Sequence, residues 1–134
     1  MDKVLKNYIK SFENLNENNI SKLTKLCSED VIFIDPFNKL KGKKNLEKML
    51  MAMFQKTQNP SFKVIYSIGS SKQSIIKWNF SCRIFKKFIE FEGLSEIKIK
   101  KGLIIKHEDF WDSGSNFYAN IPIVGRLFRN IKKN

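Results

Sequence analysis

The chain has 134 residues and a formal net charge of +12, with 42% hydrophobic and 13% aromatic residues. This length predicts a single domain (residues 1–134), and the apolar content is sufficient for a core without metals or disulfides. No apolar run approaches the ~18 residues needed to cross a bilayer. The N-terminus carries no apolar secretory region, and Cys27 and Cys82 indicate no disulfide framework, so a reduced cytoplasmic location is expected.

The basic charge comes almost entirely from lysine, because arginine accounts for only three of the 25 basic residues. Nucleic-acid readers favour arginine for bidentate contacts with phosphate and guanine. The lysines are scattered, often beside an acidic residue, which is typical of a solvated surface. Nucleic-acid binding is therefore not favoured.

The N-terminal half shows helical periodicity. In the first helix, Leu5, Tyr8, Ile9 and Phe12 recur at i, i+3, i+4 and i+7 and form one buried stripe. A turn is expected at residues 28–30, followed by a short strand over residues 31–35. The predicted helices cover residues 3–15, 20–27 and 43–58.

The C-terminal half changes to the two-residue period of strands. Four strands are predicted, over residues 62–68, 74–85, 88–100 and 103–111. Their turns lie at residues 69–73, 86–87 and 101–102. The side chains expected to face inward on the second and third of these strands are Trp78, Phe80, Cys82, Ile84, Phe91, Ser95, Ile97 and Ile99. Helices followed by antiparallel strands indicate an α+β fold with a concave sheet that encloses a cavity.

The last segment, residues 121–133, predicts a short basic amphipathic helix. Its apolar stripe consists of Val124, Leu127, Phe128 and Ile131. One interpretation is that this helix docks on its own domain or across a dimer. The alternative is a weak, reversible contact with an anionic membrane surface.

The order of these elements resembles the NTF2-like superfamily, in its SnoaL-like and ketosteroid-isomerase-like branch. The resemblance covers about residues 4–112. It rests on a helix containing Tyr8, a strand ending in Asp35-Pro36, Gly42 opening a helix, and strands closing on residues 107–112. It implies a cone in which three N-terminal helices pack on a strongly curved, mostly antiparallel sheet. It also implies a homodimer through the outer face of the sheet.

The resemblance assigns site residues as well. Asp35 matches the position of the isomerase general base, and Tyr8 lies near that of the oxyanion-stabilising tyrosine. Ser95 stands where that family has a second oxyanion acid. The family alignment places one face of the last strand inside the cone, namely Leu103, Ile105, His107, Asp109 and Trp111.

These residues suggest proton abstraction next to a carbonyl group, with Asp35 as the base and His107, Asp109 and Tyr8 in supporting roles. A carboxylate among aromatic side chains loses hydration, so its pKa should rise toward neutrality. Such isomerisation, cyclisation or dehydration needs no cofactor, and no metal-ligand spacing is present. Each residue also has a structural interpretation: Asp35 starts a turn, Tyr8 packs in the core, and His107 pairs with Asp109 or Asp35.

The expected ligand is a small, largely apolar carbonyl compound, in contact with side chains from several elements. The predicted binding residues are Met53, Phe54, Trp78, Phe80, Ser95, Ile97 and Trp111. An enzyme should bring Asp35 and either His107 or Asp109 to one cavity of at least about 300 Å³. The alternatives are a binding protein without catalysis and a dimerisation scaffold whose interior is filled by Phe and Met.

Overall fold

The computed structural model describes residues 2–113. Within this range the helices are α1 Lys3–Glu13, α2 Ile20–Thr24 and α3 Lys43–Lys56. The strands are β1 Cys27–Ile34, β2 Lys39–Lys41, β3 Gln58–Gly69, β4 Gln73–Ile84, β5 Lys87–Lys100 and β6 Leu103–Phe110. The amphipathic helix predicted for residues 121–133 lies outside the described residues.

The six strands form one sheet in the order β2-β1-β6-β5-β4-β3. All neighbouring pairs are antiparallel except β1 and β6, which run parallel. A parallel pair needs a crossover, and here the connection from β1 to β6 contains α3 and the whole β3–β5 meander. The predicted α+β class with a mostly antiparallel, curved sheet is therefore confirmed.

The first helix begins at a well-formed cap. Asp2 accepts hydrogen bonds from the backbone N–H groups of Val4 and Leu5, which have no partner inside the helix. The predicted apolar stripe is buried at Leu5, Tyr8 and Ile9. The stripe therefore fixes which face of α1 meets the sheet.

Two predicted boundaries near the start of the sheet are wrong. The second helix ends at Thr24 rather than residue 27, and residues 28–30 lie within β1 rather than in a turn. The reason is long-range pairing, because Cys27 is in register with Ile104 of β6 and draws the segment into the sheet. The prediction also missed β2, which has a single buried residue, Leu40.

The hairpin between β5 and β6 has the predicted turn, with Lys101 and Gly102 at φ of 53° and 74°. Two consecutive positive φ values are the signature of the tight turn that suits twisted strands. The hairpin between β4 and β5 turns one residue earlier than predicted. Phe85 and Lys86 occupy its positive-φ positions, and Lys87 already pairs with Ile84.

The prediction of which side chains of β6 point inward is correct for one part of the strand and wrong for the other. His107 is buried, but Leu103 is 38% exposed and Ile104 is fully buried instead. The register between β5 and β6 shifts between Lys98 and Ile99, leaving Ile105 as an extra residue. Such a bulge reverses the alternation of side chains, so Leu103 and Ile105 do not share the face of His107.

The core lies between the helices and the concave face of the sheet. The alternation predicted for β4 and β5 is confirmed, and each inward side chain is at most 8% exposed. The buried side chains of these two strands are Ser74, Ile76, Trp78, Phe80, Cys82, Ile84, Ile89, Phe91, Ser95, Ile97 and Ile99.

Gly93 is needed because the Trp78 ring occupies the space beside it. A Cβ atom at this position would lie 2.4 Å from Cη2 of Trp78 and 3.1 Å from the backbone oxygen of Phe110. We expect Gly93→Ala to lower the free energy of unfolding by about 1–3 kcal/mol through overpacking, measured by chemical denaturation. Gly102→Asn is the control, because that position faces open space and asparagine tolerates a positive φ. Equal stability of the Gly93→Ala variant and the wild type would contradict this account.

Candidate active site cavity

A cavity of about 110 Å³ lies between the helices and the concave face of the sheet. Its walls are mostly aromatic and aliphatic, and Asp35, His107 and Asp109 all contribute to them. The aromatic carbocycles that line it are Tyr8, Phe12, Phe33, Phe62, Trp78, Phe80, Phe91 and Trp111. A few polar groups converging in an apolar cavity is the usual composition of a small-molecule site.

The volume is smaller than the roughly 300 Å³ expected for an enzyme of this kind. Aromatic rings occupy part of the interior: Phe12 and Phe62, which both line the cavity, meet edge to face with centroids 5.4 Å apart. For comparison, an apolar cavity of about 150 Å³ binds benzene in another protein. The described cavity therefore accommodates a molecule of only a few non-hydrogen atoms.

A chain of five side chains runs along the cavity wall. Tyr8 Oη lies 2.7 Å from Nδ1 of His107, and Nε2 of His107 lies 2.6 Å from Oδ1 of Asp109. The same Oδ1 atom is in a short hydrogen bond with Oγ of Ser95, which in turn accepts from Nε1 of Trp78 at 2.7 Å. The chain joins α1, β6, β5 and β4, because these residues face inward at neighbouring positions.

His107 is thus paired with Asp109 and Tyr8 rather than with Asp35. The two partners of the imidazole lie on opposite ring nitrogens, and its face packs on Phe33 with centroids 4.7 Å apart. A buried polar group needs such partners, since leaving it unpaired costs several kcal/mol. The pairing of His107 and Asp109, one of the structural interpretations above, is therefore present.

Asp35 lies just after β1 and starts a turn. Its Oδ1 atom accepts from the backbone N–H groups of Phe37 at 2.8 Å and Asn38 at 2.7 Å. Burial nevertheless raises the pKa of Asp35 to about 6, an effect that these hydrogen bonds oppose and the nearby Asp109 charge reinforces. The predicted rise in pKa is confirmed, and the turn role is present in the same residue.

Tyr8 is completely buried, with its hydroxyl group beside His107 and the Cys27 thiol. Burial raises the pKa of Tyr8 well above its ordinary value, and the Cys27 and Asp109 groups add to this effect. The phenol therefore keeps its proton. Of these two neighbours, His107 and Cys27, the His107 ring is in a short hydrogen bond with the hydroxyl group, with Oη and Nδ1 2.7 Å apart.

Most of the residues predicted to bind a ligand line the cavity, and two do not. Trp78, Phe80, Met53, Ser95 and Trp111 line it. Ile97 is fully buried elsewhere in the core, and Phe54 packs against the core without reaching the cavity. The prediction missed Phe12, Phe62 and the charged Lys56, which also contribute to its walls.

The stripe of α1 and the alternation of β3 could have indicated Phe12 and Phe62. For Lys56, at the last turn of α3, no sequence signal distinguishes it from the other lysines. The described residues hold no group of three or more His, Cys, Asp or Glu side chains arranged for a metal ion. None of the helices in residues 2–113 is both long and apolar enough to cross a bilayer.

The family profile of the SnoaL-like domain matches residues 8–107. The chain belongs to the SnoaL-like domain family. No curated protein matches the sequence of this SnoaL-like protein.

Solved structures share its fold at low sequence identity. A ketosteroid-isomerase-like protein from Catenulispora acidiphila in complex with trimethylamine has a TM-score of 0.74 and 11% identity, covering 87% of this chain and 90% of that one. An LEH-like epoxide hydrolase of M. tuberculosis has a TM-score of 0.72 and 12% identity, with coverages of 93% and 92%. A putative polyketide cyclase of Pseudomonas putida has a TM-score of 0.72 and 13% identity, with coverages of 84% and 91%.

The raised pKa of Asp35 makes the stability of this SnoaL-like protein depend on pH. The fold favours the protonated carboxyl group, so this stabilisation is complete below pH 3.8 and is lost as the pH rises through about 6. Relative to wild type, we expect Asp35→Asn to gain about 2 kcal/mol in unfolding free energy between pH 4 and pH 7. Chemical denaturation across that range measures the difference.

The same substitution at an exposed position of β1, Asp30→Asn, is the matched control for that experiment. It separates the effect of removing a charge from the effect of removing a buried one. Parallel stability curves for wild type and Asp35→Asn would show that the Asp35 carboxyl group is not buried in the native protein.

Proposed function

We propose that this SnoaL-like protein is a cofactor-independent enzyme that moves a proton next to the carbonyl group of a small, largely apolar compound. The observation that supports the proposal is the convergence of Asp35 and the His107–Asp109 pair on one apolar cavity. Isomerisation, cyclisation and dehydration all begin with this step. The reaction requires one group that takes a proton from carbon and another that gives a proton to oxygen.

The two carboxyl groups of the cavity can share that work. A carboxylate takes the proton, the electron pair of the C–H bond forms a new C=C bond, and the carbonyl π pair moves to oxygen. The oxygen then takes a proton from the other, neutral carboxyl group, which gives an enol. In a compound with a further C=C bond conjugated to the enol, the first carboxyl group returns its proton to the far carbon and the enol O–H returns its proton to the second carboxylate. The product is an isomer, and both carboxyl groups are restored. A pKa near 6 suits Asp35 for exchanging a proton close to neutral pH.

The comparisons support a small-molecule role of this kind. The structural neighbours include an epoxide hydrolase and a putative polyketide cyclase, and one neighbour is described in complex with trimethylamine. The second candidate function is binding of a small ligand without turnover. It is favoured by the small cavity and by the hydrogen bonds that already occupy Oδ1 of Asp35.

The test is hydrogen–deuterium exchange into small ketones in deuterated buffer, with cyclopentanone as the first probe and proton NMR as the readout. We expect the wild type to accelerate exchange at the carbon next to the carbonyl group. Asp35→Asn and Asp109→Asn should each lower the enzymatic rate at least about 100-fold, because each removes one partner of the proton transfer.

Glu108→Gln is the matched control for the exchange assay. Glu108 neighbours Asp109 on β6 but does not line the cavity, and its carboxylate pairs with Lys106. The rate should be unchanged in this variant. Saturable binding of the ketones with no exchange above the buffer rate would instead favour the binding-protein alternative.

We also propose that the chain forms a homodimer through the outer face of its sheet. Three exposed apolar side chains lie in one row across this face, with Lys77 between the first two, because Tyr66 pairs with Lys77, Lys77 with Leu94 and Leu94 with Phe110. Tyr66 is 45%, Leu94 38% and Phe110 52% exposed. Exposed apolar side chains that lie close together and are bordered by polar residues commonly mark an interaction site.

Light scattering after size-exclusion chromatography tests the dimer. We expect a dimeric wild type and a largely monomeric Leu94→Glu variant, because the substitution would bury a charge at the centre of the row. Phe85→Asp is the control, since Phe85 is exposed at a hairpin tip away from the row. A monomeric wild type at all concentrations would rule out this interface.

A further inference from the structure

The direction of each hydrogen bond in the cavity wall follows from which groups can only donate. The indole N–H of Trp78 has no acceptor capacity, so Oγ of Ser95 must accept it. An ionised carboxylate can only accept, so the single hydroxyl hydrogen of Ser95 must point to Oδ1 of Asp109. Ser95 therefore accepts a hydrogen bond from Trp78 and donates one to Asp109.

The same reasoning fixes the tautomer of His107. Oδ1 of Asp109 accepts from Nε2, so the ring proton lies on Nε2 and Nδ1 of the neutral ring is an acceptor. The Tyr8 hydroxyl, which keeps its proton because it is buried, donates to that atom. Both arms of this hydrogen-bonded series therefore donate toward Asp109. On one side the series runs from Trp78 through Ser95, and on the other it runs from Tyr8 through His107.

The second carboxylate oxygen of Asp109 is left open. Within residues 2–113 the hydrogen bonds of Asp109 end on Oδ1. The buried polar side-chain atoms without a partner in that range are Ser28 Oγ and Asn38 Oδ1, so Oδ2 of Asp109 is not sealed in the core. Because Asp109 lines the cavity, Oδ2 is the atom that can meet a bound molecule.

We propose that Trp78 and Ser95 are positioning residues that hold Asp109 as an acceptor and thereby make its Oδ2 atom the base of the cavity. This rests on the proposed function and reverses the sequence-based assignment of Asp35 as the base. The charge on Asp109 is stabilised by two donors on one oxygen. Asp35 then supplies the proton to the carbonyl oxygen, a role that suits the carboxyl group whose burial favours the neutral form.

The surroundings of Asp109 are consistent with Asp109 as the base and Asp35 as the proton donor. The other titratable groups that line the cavity are Tyr8, Asp35, Lys56, Cys82 and His107. Like charges near each other favour neutralising the less stabilised one. The proton of the pair is assigned to Asp35, because burial and the nearby Asp109 charge raise its pKa to about 6 although its Oδ1 atom accepts from the backbone N–H groups of Phe37 and Asn38.

The tautomer of His107 can be observed directly, because the chain contains one histidine. A long-range proton–nitrogen NMR spectrum of the full chain at pH 8 should show a proton on Nε2 and none on Nδ1. A proton on Nδ1 with a bare Nε2 would overturn the proposal, because Asp109 would then have to donate.

Variants test the two positioning residues. Ser95→Ala should speed exchange of the Trp78 indole proton with solvent at least about tenfold and change the His107 nitrogen signals. Trp78→Phe should change the same His107 signals while keeping a ring in place. Ser95→Thr should restore wild-type signals, since it returns the hydroxyl group. Unchanged spectra in Ser95→Ala would overturn the proposal.

Ser74→Ala is the matched control, because Ser74 is equally buried on β4 but bonds the backbone of Ser70 outside the cavity. It should leave the His107 and Trp78 signals unchanged. If this control altered them as strongly as Ser95→Ala, the effect would be general destabilisation and the proposal would be wrong.

The ketone exchange assay separates this proposal from the proposed function. If the wild type catalyses exchange, Ser95→Ala should lower the rate at least about tenfold with little change in KM, and Ser95→Thr should restore it. If the wild type does not catalyse exchange, the proposed function fails. The His107 tautomer still decides whether these hydrogen bonds hold Asp109 as an acceptor. A full exchange rate in Ser95→Ala would overturn the positioning role.

Discussion

The rest of the site depends on two hydrogen bonds that share one acceptor, the Oδ1 atom of Asp109. Through it, Trp78 and Ser95 on two strands meet His107 on a third and, beyond it, Tyr8 on the first helix. Polar groups in an apolar interior are stable only when their partners are in place. The arrangement therefore ties the position of α1 to the register of three strands, and shapes one wall of the cavity as a consequence.

The sequence predicted the parts of the fold that local periodicity controls. The stripe of α1 and the alternation of β4 and β5 were correct because each repeats the burial of one face over many residues. Short or remotely paired segments were not predictable in this way. The strand β2 spans three residues, and residues 28–30 look like a turn until β6 supplies a partner far along the chain.

The chemical residues of the site were also identifiable, but their connections were not. Asp35, His107, Asp109 and Tyr8 were all recognised as candidates, and their approach to one cavity follows from the fold. Which donor meets which acceptor depends on the register between distant strands, which no local pattern specifies. For the same reason Trp78 was predicted only to line a pocket, although its N–H group donates a hydrogen bond to Ser95. The cavity volume depends on how aromatic rings interlock, which composition does not reveal.

The extra residue at Ile105 gives β6 two phases of side-chain alternation. Toward the hairpin, Ile104 seals the interior; beyond the bulge, His107 and Asp109 take the inward positions. Within one strand, the orientation of Ile104 at the hairpin end is thus independent of the orientation of His107 and Asp109 at the cavity. Evolution can exchange apolar side chains at the hairpin end without rotating the imidazole or carboxylate, whereas a regular strand of the same length, without the bulge, would turn both toward solvent.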